Sequence, residues 1–206
     1  MPYRSIEVGE LQANCYVFFD AESRSGLLID PGAEAERILA WIATEQIRPR
    51  AVVLTHGHAD HAGAAAAVMA HLRIPLWVHR ADERHMRSEA GRAIAAAFGV
   101  DVPPPADRLL DHGDHLAAGD LELRVVHSPG HTPGSIMLHG QGLLFTGDTL
   151  FREDVGRTDL PGGSEAELRR SLERIREFPG ETVILPGHGA RSTVAHELGN
   201  NPYLLE

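Results

Sequence analysis

The sequence predicts an α/β fold, and three observations carry that prediction. Short apolar runs of strand length, such as Ala51-Val52-Val53-Leu54, recur along the chain. In the first half they alternate with Ala-rich or amphipathic stretches of helical length, at 33–46, 63–72 and 81–98. Several of the runs end in Gly- or Pro-containing turns that carry a His or an Asp, and strand ends are where α/β proteins place their chemistry. With 206 residues, 43% of them hydrophobic, the chain fits one domain over 1–206 with a sizeable core.

Taken in order, residues 3–8 and 13–19 read as strands joined near Gly9 and Glu10. Gly26-Leu27-Leu28-Ile29 reads as a third, buried strand, stopped by the turn signal Asp30-Pro31-Gly32. Residues 33–46 read as a helix with Ile38, Trp41, Ile42 and Ile47 along one side, closed by Pro49. The strand at 51–54, a stretch rich in His and Asp, the helix at 63–72 and a strand from Ile74 to His79 follow. Ala81 to Phe98 reads as one or two helices, broken near Ser88 to Gly91. Val102-Pro103-Pro104-Pro105 cannot continue a helix and reads as an extended linker between two halves. Segments 108–110, 115–117 and 121–127 read as strands, and 135–139 with 143–146 as a hairpin turning at Gly140-Gln141-Gly142. Ser164 with Glu167 reads as a capping box that opens a helix to about Phe178. Thr182-Val183-Ile184-Leu185 is the last strand, and a short C-terminal segment finishes the chain.

Composition narrows the function. A net charge of −10 argues against nucleic acid or an anionic membrane as the main partner. The one cysteine, Cys15, lies in the strand-like run Asn14-Cys15-Tyr16-Val17-Phe18 and reads as a small core residue. That usage suits a reducing compartment, and no signal pattern or membrane-length apolar run is visible, so a cytoplasmic location is expected.

The 13 histidines call for chemistry rather than packing. Thr55-His56-Gly57-His58-Ala59-Asp60-His61 sets three imidazoles and a carboxylate at the end of a strand. Residues two apart on extended backbone point the same way, so His56 and His58 can reach one ion. Asp60 and His61 follow after the chain turns, toward a second point, while Gly57 and Ala59 leave room for ligands and ions. Three more strand ends carry His131, Asp148 and His188. His56, His58 and His131 then make one triad, and Asp60, His61 and His188 make another. Asp148 can bridge, because a carboxylate has two oxygens. Each set leaves an open position for a shared water, which a metal converts to hydroxide near neutral pH. Two divalent ions, less the charges of Asp60, Asp148 and hydroxide, leave positive charge to stabilise an oxyanion, which gives the two aspartates catalytic as well as ligand roles. Nitrogen and carboxylate donors without thiolate suit zinc, and also iron and manganese. Asp30 either caps its own turn or supports the His/Asp loop from behind. His112 and His115, with Asp111 and Asp114, read as an exposed polar turn. His71, His79, His85, His127, His139 and His196 receive no function.

Thr-His-x-His-x-Asp-His at 55–61, Gly-His-Thr-Pro-Gly at 130–134, Thr-Gly-Asp-Thr at 146–149 and Pro-Gly-His-Gly at 186–189 resemble the metallo-β-lactamase superfamily, in its motif order. The resemblance implies a four-layer αβ/βα sandwich with the ions between two sheets. Leu150-Phe151-Arg152 and Gly156-Arg157-Thr158-Asp159-Leu160-Pro161-Gly162-Gly163 resemble the short bacterial glyoxalase II-like branch. That branch implies hydrolysis of S-D-lactoylglutathione to D-lactate and glutathione, and it places Arg152 and Arg157 near the active-site mouth as candidate substrate contacts. Longer glyoxalase II enzymes hold the glutathione carboxylate with basic residues of a C-terminal extension; here 18 residues follow His188, with Arg191 their one cation. A thioester suits the site because its thiolate leaves without a general acid, its pKa being roughly 8.5. The alternative within the superfamily is a persulfide dioxygenase with one iron, which shares most of these ligands. A flavodiiron branch usually has Glu where this chain has His58, and RNA nucleases usually carry extra domains. A non-enzymatic metal scaffold fits poorly with a complete ligand set.

Overall fold

The computed structural model describes residues 2–205. Strands β1 (Tyr3–Val8), β2 (Ala13–Phe19) and β3 (Ser25–Ile29) form an antiparallel meander. Helix α1 (Ala35–Thr44) crosses over to β4 (Arg48–Val53), which runs parallel to β3. Helices α2 (Ala59–Ala62) and α3 (Ala65–Leu72) lead to β5 (Leu76–His79), and α4 (Arg80–Arg87) and α5 (Glu89–Ala97) lead to β6 (Arg108–Leu110). Both strands add in parallel, so the sheet runs β1 to β6 in sequence order.

A second six-stranded sheet begins with the antiparallel strands β7 (His115–Ala118), β8 (Leu121–His127), β9 (Ile136–Gly140) and β10 (Leu143–Gly147). A small hairpin, β11 (Leu150–Phe151) and β12 (Asp154–Val155), precedes α6 (Glu165–Glu173). Strand β13 (Val183–Pro186) returns parallel beside β10, then β14 (Ser192–Thr193) forms the edge and α7 (Val194–Asn200) follows.

The residue pattern explains the stacking. β2 is buried along its whole length because its two faces enter different cores. Cys15, Val17 and Phe19 pack with Ile38, Ile42 and Val68 on the helix side of the first sheet. Tyr16 and Phe18 pack between the sheets against Leu123, Val125, Ile136 and Phe145. On the far side, Met137, Leu144 and Ile184 meet Leu168 and Leu172 of α6 and Val194 of α7. Helices, sheet, sheet and helices make the four-layer αβ/βα order expected from the resemblance. Among the described residues no helix is long and apolar enough to cross a membrane.

Local expectations differ in four places. The helix read at 63–72 begins at Ala65 as α3, and a separate short helix, α2, precedes it and holds Asp60 and His61. The Gly140-Gln141-Gly142 turn narrows to Gln141 and Gly142, both at positive φ, as a two-residue hairpin turn requires. The capping box at Ser164 is half made: its hydroxyl accepts from Glu167 N–H, but its own N–H goes to Gly130 O at 2.7 Å instead of to Glu167. The helix read to Phe178 ends as α6 at Glu173, and a single 3-10 turn covers Arg174–Glu177.

Candidate metal centre

The ends of strands from both sheets build the site. β4 hands over to Thr55–His58, and His58 is the N-terminal flanking residue of α2, which carries Asp60 and His61. From the other sheet come His131 in the β8–β9 loop, Asp148 after β10 and His188 after β13. Backbone bonds tie these segments together: Ile136 N–H donates to Thr55 O at 2.9 Å, and Gly187 N–H to Gly147 O at 2.8 Å. A Cβ on Gly187 would strike Asp148 Oδ1, so a glycine there leaves the centre open. Gly57 has a different task from the one expected: a Cβ there would strike Met86, so it makes room for α4 instead of for an ion.

Two ligand groups converge, with the membership read from the sequence. Potential donor atoms of His56, His58 and His131 lie within 4.8 Å of one another, as do those of Asp60, His61 and His188. Asp148 sits between them, with Oδ1 at 3.3 Å from His61 Nε2 and Oδ2 at 3.5 Å from His131 Nε2 and 3.6 Å from His188 Nε2. His58 Nδ1 is 2.8 Å from His131 Nε2, and His61 Nε2 is 3.2 Å from His188 Nε2. A third group, Asp30, His56 and His61, satisfies the same spacing.

The proton positions decide what this cluster can hold. His61 Nδ1 donates to Asp30 Oδ2 at 3.0 Å, His131 Nδ1 to Arg157 O at 2.7 Å and His188 Nδ1 to Leu11 O at 3.0 Å. Each neutral ring therefore turns a bare Nε2 lone pair inward, toward Asp60, Asp148 and the other imidazoles. Lone pairs facing lone pairs and carboxylates repel unless positive charge sits among them. His56 Nε2, His58 Nε2 and Asp148 Oδ1 are buried without an aligned hydrogen-bond partner, which native interiors seldom tolerate. The residues present therefore fit divalent cations.

Electrostatics agrees. Burial, reinforced by His61 and His131, pushes the His56 pKa well down, and burial with His131 lowers that of His58 to about 3. Both stay neutral and can ligate at pH 7. Burial opposes charge on His61 and His188, yet nearby carboxylates outweigh it and raise both, Asp148 and Asp30 acting on His61, Asp60 and Asp148 on His188, so that without a metal ion protons on these rings supply positive charge among the carboxylates. Burial also opposes charge on Asp60 and Asp148, and the surrounding imidazoles overcome it and hold both below the usual carboxylate range.

Three supporting groups complete the frame. Asp30 accepts from Thr55 N–H at 2.7 Å, from the Thr55 hydroxyl at 2.6 Å and from His61, so it ties the loop by backbone and imidazole together. Its φ of 53° is in the left-handed region, where Asp is among the tolerated residues. Asp82 of α4 escaped the sequence reading. It is fully buried and accepts from Gly57 N–H at 2.7 Å, Gly134 N–H at 2.6 Å and Thr132 Oγ1 at 2.8 Å, joining the loops of His56/His58 and His131. Asn14 and Tyr16 of β2 do the same for His188: Asn14 Nδ2 donates to Pro186 O and Gly189 O, each at 3.0 Å, and the Tyr16 hydroxyl to Pro186 O at 2.7 Å.

The family model described as the metallo-beta-lactamase superfamily matches residues 8–188, which include all seven of these side chains. The chain belongs to the metallo-β-lactamase superfamily. Relatives and structures within that superfamily resemble it over nearly full length. The hydroxyacylglutathione hydrolase GloC of Haemophilus influenzae is 33% identical over 97% of this chain and 96% of its own. The crystal structure of the BLEG-1 B3 metallo-beta-lactamase superposes with TM-score 0.92 at 35% identity, covering 99% of this chain and all of that one. The structure of TTHA1623 in a di-iron-bound form superposes with TM-score 0.87 at 38% identity, covering 98% and 100%.

Over this superfamily centre lies an open cleft bordered by His58, Asp60, His131, Asp148 and His188. Arg157 borders it as expected, but its guanidinium is engaged by Asp159, with Nε and Nη2 each at 2.7 Å from a carboxylate oxygen. Arg152 does not border it. The β11–β12 hairpin turns Phe151 toward His188, with ring centroids 5.9 Å apart, and leaves Arg152 in a separate groove with Arg191 and His196. His112 and His115 join no ligand group among the described residues; Asp111 pairs with Arg80, and His115 with Glu122 at 3.0 Å.

Proposed function

We propose that the chain is a dinuclear metal-dependent thioester hydrolase of the hydroxyacylglutathione hydrolase type, with S-D-lactoylglutathione as its reference substrate. The observation that carries this reading is the inward-facing set of lone pairs and carboxylates, divided into two triads around Asp148. His56, His58 and His131 would hold one ion and Asp60, His61 and His188 the other, with Asp148 between the two groups. Zinc fits this donor set, as do iron and manganese. Bound ions supply a nucleophile at neutral pH and a sink for the charge developing on the carbonyl oxygen.

The rest is the work of the chain. Asp30, Arg157 O and Leu11 O fix the tautomers of His61, His131 and His188 by accepting from Nδ1. Among the described residues, the cleft lining includes no titratable acid to protonate a leaving group beyond the imidazoles and carboxylates assigned to the ions. A thiolate departs without such help, whereas an amine does not, and this favours a thioester over an amide. The single buried Cys15 agrees with a cytoplasmic setting, and the net charge of −10 with a small-molecule substrate rather than a nucleic acid.

The test is metal content per chain with an assay on S-D-lactoylglutathione. Two ions and turnover are expected, and His56→Ala is expected to lose one ion and at least about a hundred-fold in kcat/KM. Near-normal turnover with two ions in that variant overturns the ligand assignment. One iron per chain, with oxygen uptake on glutathione persulfide, overturns the hydrolase reading in favour of a dioxygenase.

A further inference from the structure

Apart from the ligand atoms and Arg157, the cleft over the metal centre is walled by hydrocarbon. Leu11, Ile94, Phe98, Phe151, Val155 and Leu160 line it, around a volume of about 340 Å³. A second cavity of about 290 Å³ adjoins it across Leu11, Asp60 and Phe98, and Val8, Ala33, Ala59 and Val100 extend the apolar surface there. Leu11 and Phe98 are each 52% exposed, two of only four large hydrophobic residues exposed to that extent or more among the described residues. Exposed apolar side chains scattered singly need no explanation, but a contiguous apolar patch beside a catalytic cleft marks a binding surface.

Away from the ions, the wall itself gives an anionic ligand group no partner. Asp60 and Asp148 are taken up with the ions, Glu10 borders the second cavity, and Arg157, the one Lys or Arg among the described residues lining either cavity, is already held by Asp159. A ligand carboxylate would meet repulsion and no free partner, whereas an alkyl chain would meet carbon. The thiol halves of cellular thioesters are peptides or nucleotides carrying carboxylates or phosphates. The half that can be hydrocarbon is the acyl group, bonded directly to the reacting carbonyl and so at the foot of the wall.

On the thioester-hydrolase reading above, we propose that this wall is an acyl-chain site, and that the enzyme selects thioesters of medium-length alkanoic acids over lactoyl and other short polar acyl groups. Leu11, Ile94 and Phe98 are then specificity-determining residues.

The experiment uses the metal-loaded full chain with acetyl, butanoyl and hexanoyl thioesters of N-acetylcysteamine. The expected result is a rise in kcat/KM on the order of ten-fold or more from acetyl to hexanoyl, since each buried methylene discriminates. Phe98→Ser and Ile94→Ser are expected to lower hexanoyl turnover more than acetyl turnover and so flatten the series. An independent readout is calorimetric binding of S-hexyl against S-methyl N-acetylcysteamine thioethers to the metal-free chain, with the hexyl compound about ten-fold tighter and Phe98→Ser removing the difference. Chain-length-independent turnover and binding overturn the acyl-chain site while leaving a thioester hydrolase in place. So does a gain that follows an alkyl group on the thiol instead of on the acyl half. Failure to hydrolyse any of the thioesters with two ions bound removes the hydrolase reading, and the acyl-chain site with it.

Discussion

Asp82 is a carboxylate with no cation in hydrogen-bond reach, sealed from solvent and satisfied by two amides and a hydroxyl from two distant loops. Burial raises its pKa, and its donors Thr132, Gly57 and Gly134 act the other way. Asp82→Asn should turn an amide donor toward at least one of those donors, at a cost of about 3 kcal/mol, visible in the urea midpoint. Its sharper signature is expected in a chelator competition: ion binding at His56, His58 and His131 weakens more than at Asp60, His61 and His188, which Asp30 and Asn14 hold separately. Equal affinities for both ions in a destabilised variant would reduce Asp82 to a structural role. The seven candidate ligands were legible because each lies in or just after a Gly- or Pro-containing stretch that follows an apolar run. Asp82 was not, since nothing in Arg80-Ala81-Asp82-Glu83-Arg84 separates it from the exposed polar faces of ordinary helices. Its burial is decided by amides arriving from positions 57 and 134.

At the scale of elements, α4 shows how a helix end can depend on pH. His79 precedes the helix and accepts from Ala81 N–H through Nδ1 at 3.3 Å, while its ring stacks on His127 with centroids 4.1 Å apart. A protonated Nδ1 cannot accept, so the cap needs neutral imidazole. Burial and the neighbouring His127 lower the His79 pKa to about 4, while the nearby Asp111 raises it and Arg80 lowers it. In the unfolded chain His79 titrates near 6.5, so between about 4 and 6.5 the unfolded state binds more protons. Its contribution is therefore complete above about pH 6.5 and is lost as pH falls toward 4. His79→Asn keeps an acceptor for the cap and removes the titration, so stability of the variant should fall less steeply across that window in denaturant melts. A slope identical to that of the parent would discard the account. Most strands and helices were legible from apolar runs and their breakers. The β11–β12 hairpin and α7 were not: the former is two residues a side, and the latter is seven residues long and takes part of its support from Glu153, 44 positions away. Glu197 of α7 accepts from Ser192 Oγ, from Asn201 Nδ2 at 2.9 Å and from Glu153 N–H at 2.8 Å.

For the molecule as a whole, the centre is a junction. His56, His58, Asp60 and His61 belong to the first sheet's connections, and His131, Asp148 and His188 to the second's. None of the seven contributes to the three apolar clusters, so the layers have their own cohesion. Without cations, the two halves bring imidazole nitrogens and carboxylate oxygens together at distances of 2.8 to 3.3 Å. Metal-free protein should therefore keep its far-ultraviolet dichroism yet melt lower. Two ions, each at about thirty times its Kd, together add about 4 kcal/mol to the folded state, and in a chain of this size each kcal/mol moves Tm by about 2–4 °C. Chelation should thus lower Tm by roughly 10 °C, reversed by added zinc. Because bound ligands must be unprotonated, the difference should shrink as pH drops below about 6. Scanning calorimetry with and without chelator decides it: an unfolded metal-free chain would mean that the apolar layers do not stand alone, and an unchanged Tm would mean that cations do not join the two sheets.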